Sequence, residues 1–261
     1  MIRGLYSSGW SMIANGRKMD VIANNIANVN TNGFKKDSVV FESFSDVLVR
    51  SVNGQRSISN PQGILGTMQF SSDVGEIFTR QNQGQLNKTD KMTDFAISDN
   101  GNSFFTILAP EVSNGQEIQE LYTRDGAFTI NQQNYLTTGE GYLVMGQNGP
   151  IQLADNEFIV NEEGMIIQGE NVVDTLLIRC FEDASTLRKI GTNTLAETEQ
   201  SQEQQFNGKV LQGFLEQSNV NVISEMVDMI TVLRAYEANQ KILQIQDDAL
   251  GKAVNEVGMI R

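Results

Sequence analysis

The 261-residue chain has no histidine, one cysteine and three prolines, and its 32 acidic residues outnumber 19 basic ones. Without histidine, the commonest metal ligand and the usual neutral-pH general base are both missing. A single cysteine allows no internal disulfide and no thiolate zinc site. That residue, Cys180 in TLLIRCF, shares strand parity with Leu176 and Ile178 and is expected to be buried among apolar groups. A net charge of −13 argues against a nucleic-acid partner, which needs clustered lysine and arginine. No stretch approaches the roughly 18 consecutive apolar residues of a membrane span. Gly4, Ser7, Ser8 and Gly9 break up the residues after Arg3, so no secretory signal is expected. There is no glycine-rich phosphate cradle, no GxSxG elbow and no HExxH. The carboxylate pairs Asp155/Glu157 and Glu162/Glu163 fall at turns, where solvation is the default role. No catalytic residue, cofactor or metal is therefore nominated, and the chain is not expected to be an enzyme.

What the sequence does have is two patterned ends. Ile2, Leu5, Gly9, Met12, Gly16, Met19, Ala23 and Ile26 recur at steps of three and four, the spacing of a helical seam. Small residues (Gly9, Gly16, Ala23) alternate there with large ones. Glycine inside a helix costs about 1 kcal/mol relative to alanine, so two on one seam suggest close approach of another backbone. The asparagine-rich stretch ANNIANVNTNG then ends the helix, since asparagine makes competing local bonds and tolerates left-handed backbone. At the other terminus a second helix is expected from Val222 to Val257, capped by Asn221 with Glu225 in its first turn. Its seam runs through Met226, Met229, Leu233, Tyr236, Leu243 and Leu250. A helix of that length spans about 54 Å, too long to lie within a compact domain whose radius of gyration is roughly 18 Å. It is expected to pack on the N-terminal helix and on other copies of the chain.

Between the ends the texture differs. Residues 34–88 read as a connector of extended pieces, with a short helix over Phe41–Val52 and irregular chain from Asn53 to Gly66. From Asp94 to Asp183 short apolar runs alternate with turns, as in an all-β unit. Asp125-Gly126, between Tyr122 and Phe128, carries a hairpin signal, and Gly139–Gly141 marks another turn. The fold class is α+β. The terminal helices, residues 1–33 and 219–261, form one domain, 34–88 the connector, and 89–218 a β-rich domain outside the helices.

Three stretches resemble the family of bacterial flagellar rod and hook proteins. ANNIANVNTNGFKK matches its N-terminal signature at Asn24, Asn25, Asn28, Thr31, Gly33 and Phe34, YTRDGAF is a second match, and SNVNVISEMVDMITVLRAYEANQ a third. The opening Met1-Ile2-Arg3 and the Ser-Asn-Val-Asn run resemble a distal-rod type, with a proximal-rod type as the alternative. DNGNSFF departs from the family's usual Gly-x-Gly-Phe-Phe. The resemblance implies a torque-transmitting subunit of a helical homopolymer, in contact with neighbouring rod and hook proteins. It also implies unfolded passage through the flagellar type III export apparatus, a place outside the cytoplasmic membrane, and ring proteins or peptidoglycan as further contacts. A coiled-coil adaptor forming a finite complex is the rival outside the family.

Overall fold

A computed structural model describes residues 2–50, 64–69, 71–109, 120–154, 157–169 and 171–257. The chain forms two compact units, each assembled from separate segments. The first takes residues 1–24, 37–78 and 223–261; the second takes 25–36 and 79–222.

The first unit holds most of both long helices. α1 spans Ile2–Ala27, the limits expected from its seam and the asparagine cluster. α2 spans Val222–Lys252 with Glu225 in its first turn and continues as a π-helical turn over Ala253–Val257. Near the start of α1 the two helices are neighbours, because a Cβ on Gly4 would strike the Gln246 side chain.

The presumed connector is a β-ribbon. Asp37–Ser43 pairs with Ser72–Thr79, Phe44 N–H donates to Ser71 O at 2.9 Å, and Val47–Arg50 runs antiparallel to Ile64–Met68. The helix expected over Phe41–Val52 and the irregular chain at Gly66 are therefore corrected to strands; residues 51–63 lie outside the described part. Phe41, Phe44, Val47 and Leu48 suggested a helical face, but Val39-Val40-Phe41 and Val47-Leu48-Val49 are β-branched and aromatic runs that fit a pleated ribbon. The ribbon lies against α1. Trp10 meets Phe44 edge-on at 5.2 Å between ring centres, Lys18 sits 5.7 Å over the Phe41 ring, and Arg17 pairs with Asp73 at 3.1 Å.

The second unit is the β-rich body. Its main sheet is antiparallel, and Ser103–Leu108 is its centre. That strand pairs with Glu120–Thr123 on one side, and with Leu143–Gly146 and Ile178–Phe181 on the other. SFFTIL is buried on both faces, as a central strand must be. Phe105 and Ile107 face a core shared with Phe95, Phe128, Leu136 and Val144. Phe104 points the opposite way, towards Tyr122, Phe181 and Leu195.

Three expectations change here. Asp125-Gly126 is not a hairpin, because Glu120–Thr123 pairs with Ser103–Leu108 and Thr194–Ala196 while Phe128–Ile130 pairs with Leu136–Thr138. The glycine answers to crowding instead: a Cβ on Gly126 would run into the carbonyl of Phe95, whose N–H donates to Gly126 O at 3.0 Å. Cys180 is half-buried, and the side chain taken into the core is the adjacent Phe181. No asparagine of the 24–32 cluster has positive φ among the described residues; the left-handed position is Gly33, at +67°. Of the turn carboxylates, Glu162 and Glu163 are exposed, Glu162 pairing with Lys209 at 2.7 Å, and Asp155 lies outside the described residues.

Candidate assembly surface and its anchor

In α1, Ser8, Ala14, Ile22 and Asn25 are buried, while Leu5, Tyr6, Trp10 and Ile13 remain exposed. Among the seam residues expected at an interface, Leu5 is exposed and Gly9, Met12, Gly16, Met19 and Ile26 are half-buried. A Cβ on Gly9 or Gly16 would meet nothing within 4 Å. Among the described residues, nothing therefore uses the space those glycines leave.

α2 shows the same division. Glu225 and Val232 are buried, and Val222, Met229, Tyr236, Asn239, Leu243, Gln246 and Leu250 are half-buried, a stripe at steps of three and four. Met229, Tyr236, Leu243 and Leu250 belong both to this stripe and to the seam read from sequence. The seam's other register, Met226 and Leu233, sits one residue further along and is exposed, as are Ile223, Ile230, Ile242 and Ile245. Leu5, Gly9, Trp10 and Ile13 of α1 and Leu243 and Asp247 of α2 line an open, largely apolar groove of about 600 Å³. Burying one such side chain contributes roughly 1.5–3 kcal/mol. The four apolar ones, Leu5, Trp10, Ile13 and Leu243, together reach about 6–12 kcal/mol, comparable with the estimated 4–15 kcal/mol entropic cost of association, so this surface is chemically suited to bind protein.

The residues after the asparagine cluster do a different job, within the β-rich unit. Thr31 N–H donates to Asn28 O at 3.2 Å and its hydroxyl donates to Asn28 Oδ1 at 3.2 Å, which tightens the exit from α1. Asn25 is buried, Asn24 is exposed, and Gly33 and Phe34 are buried. Gly33 packs so closely that a Cβ would lie 2.6 Å from the Arg124 carbonyl carbon, and its N–H donates to Glu216 O at 2.8 Å. Lys35, also buried, donates to Glu216 Oε1 at 2.5 Å and to Asn82 O at 2.9 Å. Arg124 donates through Nη1 to Glu216 Oε2 at 3.2 Å and through Nη2 to Asp99. Asn219 completes the joint: its Oδ1 accepts from Lys36 N–H at 2.7 Å and its amide donates to Arg80 O and Asn82 O.

The cluster holds two cations and two anions. Isolated buried charges are costly, so each must find partners. Burial pulls Lys35 below its ordinary pKa, and Arg124 adds to this, while Glu216 opposes it. Burial alone would raise Asp99, but the Arg124 charge and the N–H groups of Ser103 and Gly101 outweigh it and hold the carboxyl below its usual range. The departure DNGNSFF is thereby accommodated, since Asp99 accepts from both Gly101 N–H and Ser103 N–H at 2.9 Å. Removing one member of such a set leaves an uncompensated charge, at a cost of about 3–5 kcal/mol.

The anchor was only partly visible beforehand. Gly33, Phe34 and Lys35 stood out in the motif and Arg124 lies in the YTRDGAF match, but no charge cluster joining Lys35, Asp99, Arg124 and Glu216 was expected. Their one signal was that TRDG, GFKK and the segment before α2 each carry charge next to apolar residues.

The comparisons with known proteins match these pieces. Residues 5–35 match the profile of the flagella basal body rod protein, 96–190 that of the flagellar hook protein FlgE/F/G D1 domain, and 211–256 that of the flagellar basal body rod FlgEFG protein C-terminal region. The flagellar basal-body rod protein FlgG of Buchnera aphidicola subsp. Baizongia pistaciae is 35% identical over 97% of this chain and 98% of its own length. The chain belongs to the flagellar basal-body rod family. FlgG of Borreliella burgdorferi is 34% identical over 98% of both chains, and the rod protein FlgF of Caulobacter vibrioides is 32% identical over 94% of this chain and 93% of its own. This rod family is a structural one. The anchor draws on all three matched segments: Lys35 from the first, Asp99 and Arg124 from the second, Glu216 and Asn219 from the third.

Proposed function

We propose that this rod-family chain is a structural subunit of the distal flagellar rod, polymerising through α1 and α2 into a helical tube that transmits torque to the hook. The observation that carries the reading is the uncovered apolar surface of both helices, beside two glycines that no neighbour among the described residues exploits. Heterologous contacts that do not close give an open filament. In the polymer, residues 1–33 and 219–261 form a coiled-coil-like inner layer, 34–88 link it outward, and 89–218 form the outer layer. Leu5, Gly9, Met12, Gly16, Met19 and Ile26 then meet Met226, Met229, Leu233, Tyr236, Leu243 and Leu250 of adjoining copies. The subunit leaves the cytoplasm unfolded through the type III export apparatus and works outside the cytoplasmic membrane, where ring proteins or peptidoglycan border the shaft.

The 32% identity to a FlgF over most of both chains supports a proximal-rod position as the second reading. Expression in strains lacking either the distal or the proximal rod protein separates the two: restored motility is expected only in the first. Light scattering of the purified chain at rising concentration tests the polymer itself. Continued growth in mass is expected; a plateau at a finite complex would favour an adaptor.

A further inference from the structure

Arg124 is 3% exposed, and its guanidinium is spoken for at both ends: Nη1 donates to Glu216 Oε2 and Ile97 O, and Nη2 to Asp99. Its Nε–H has no hydrogen-bond partner among the described residues. Among the other buried atoms in that condition are Gln81 Oε1 and Asn193 Oδ1. All three residues line one small cavity of about 20 Å³ within the β-rich unit. The orientation of the Asn193 amide is set by its Nδ2, which donates to Asn32 O at 2.6 Å.

We infer that one ordered water molecule occupies this cavity, accepting from Arg124 Nε–H and donating to Gln81 Oε1 and Asn193 Oδ1. A buried water needs about 10–15 Å³ of room and two to four polar partners; the site supplies space for one molecule and three partners. One donor and two acceptors are the complement of a single water. Lys35 and Lys189 also line the cavity, so an anion would meet cations, but it would face the Gln81 and Asn193 oxygens as well, and Lys35 is already paired with Glu216; a metal cation would face the guanidinium and both ammonium groups. The water extends the anchor. Through Asn193 it links Arg124 to the carbonyl of Asn32, the residue before Gly33, so the chain leaving α1 is held both by ion pairs and by a bridged hydrogen bond.

The test is water-selective NMR on the full chain, kept below the concentration at which it polymerises. A cross-peak between the Arg124 Nε proton and water, with the sign of a long-lived bound molecule, is expected. In the Gln81→Met variant, solvent exchange of that proton should rise roughly fivefold, as expected for loss of one hydrogen bond. Absence of the cross-peak in the parent chain overturns the inference, as does unchanged exchange in the variant. A chloride-dependent shift of the Arg124 Nε proton would overturn it in favour of an anion.

Discussion

At the scale of single residues, Asp125 makes a pH-dependent prediction. Its Oδ1 accepts from Ala127 N–H at 3.0 Å. Burial, helped by the nearby carboxylates of Glu140 and Asp94, pushes its pKa up to about 6, against the lowering effect of that N–H. The folded state thus holds this proton more tightly than the unfolded chain does, so the group's contribution falls as pH rises from about 4 to about 6 and is flat above. The full linkage is about 3 kcal/mol, reduced to about 1–2 by solvent at this half-buried site. Asp125→Asn keeps the acceptor and removes the charge. It should raise the melting temperature at pH 7.5 and give no gain at pH 4, as read by thermal denaturation at the two pH values. Neither this residue's burial nor the ion pairs of Lys35, Arg124 and Glu216 was legible in the sequence. Those partners are separated by 92 and 181 positions, and no local period records such a distance. Gly33 was legible as a turn residue, yet the reason for it, contact with the Arg124 backbone, was not.

At the scale of elements, the helices were read well because a 3–4 period persists over many turns and the asparagine cluster marks a stop. The chain buries Glu225 and Val232, while the seam residues Met226 and Leu233, one position further along, stay exposed and so remain open to another copy. Periodicity cannot tell which of two adjacent apolar rows faces the home chain and which faces outward. The ribbon was missed because Phe41, Phe44, Val47 and Leu48 fit a short helical face as well as two strands. α1 gives the sharpest element-level prediction. Since a Cβ at Gly9 meets nothing within 4 Å, Gly9→Leu should leave the free subunit folded, and its higher helix propensity adds up to about 1 kcal/mol to α1. The same substitution should abolish or strongly slow polymerisation, because leucine fills the space reserved for a neighbour. Circular dichroism with sedimentation of filaments separates the two effects. Normal filaments would exclude close packing at that point of the seam.

At the scale of the whole molecule, the two units differ in how much of their apolar surface the chain itself covers. The β-rich unit buries Phe95, Phe104, Phe105, Phe128 and Phe181 almost completely. The helices leave large side chains such as Ile223 (75% exposed) and Ile245 (62% exposed) uncovered. Protection from exchange follows local packing. Hydrogen exchange on the unpolymerised chain should therefore be slow at residues 95–97 and 104–107 and fast over 5–13 and 240–255. Residues 33–35, fixed by the ionic joint, should join the slow class despite lying close to the N-terminus. Filament formation should slow exchange in both helices. Slow exchange at both ends of the lone chain would contradict an assembly-dependent inner layer.

The backbone passes from one unit to the other at 24/25, 36/37, 78/79 and 222/223. Four covalent lines therefore join them in parallel, where a simple tethered domain has one. Trimming residues 1–24 removes the 24/25 crossing and trimming 223–261 removes 222/223, while the crossings at 36/37 and 78/79 remain in either case. The second crossing follows Lys36, so the strand that leaves the β-rich unit there starts two residues after the buried Lys35, a fixed point of that unit's charge cluster.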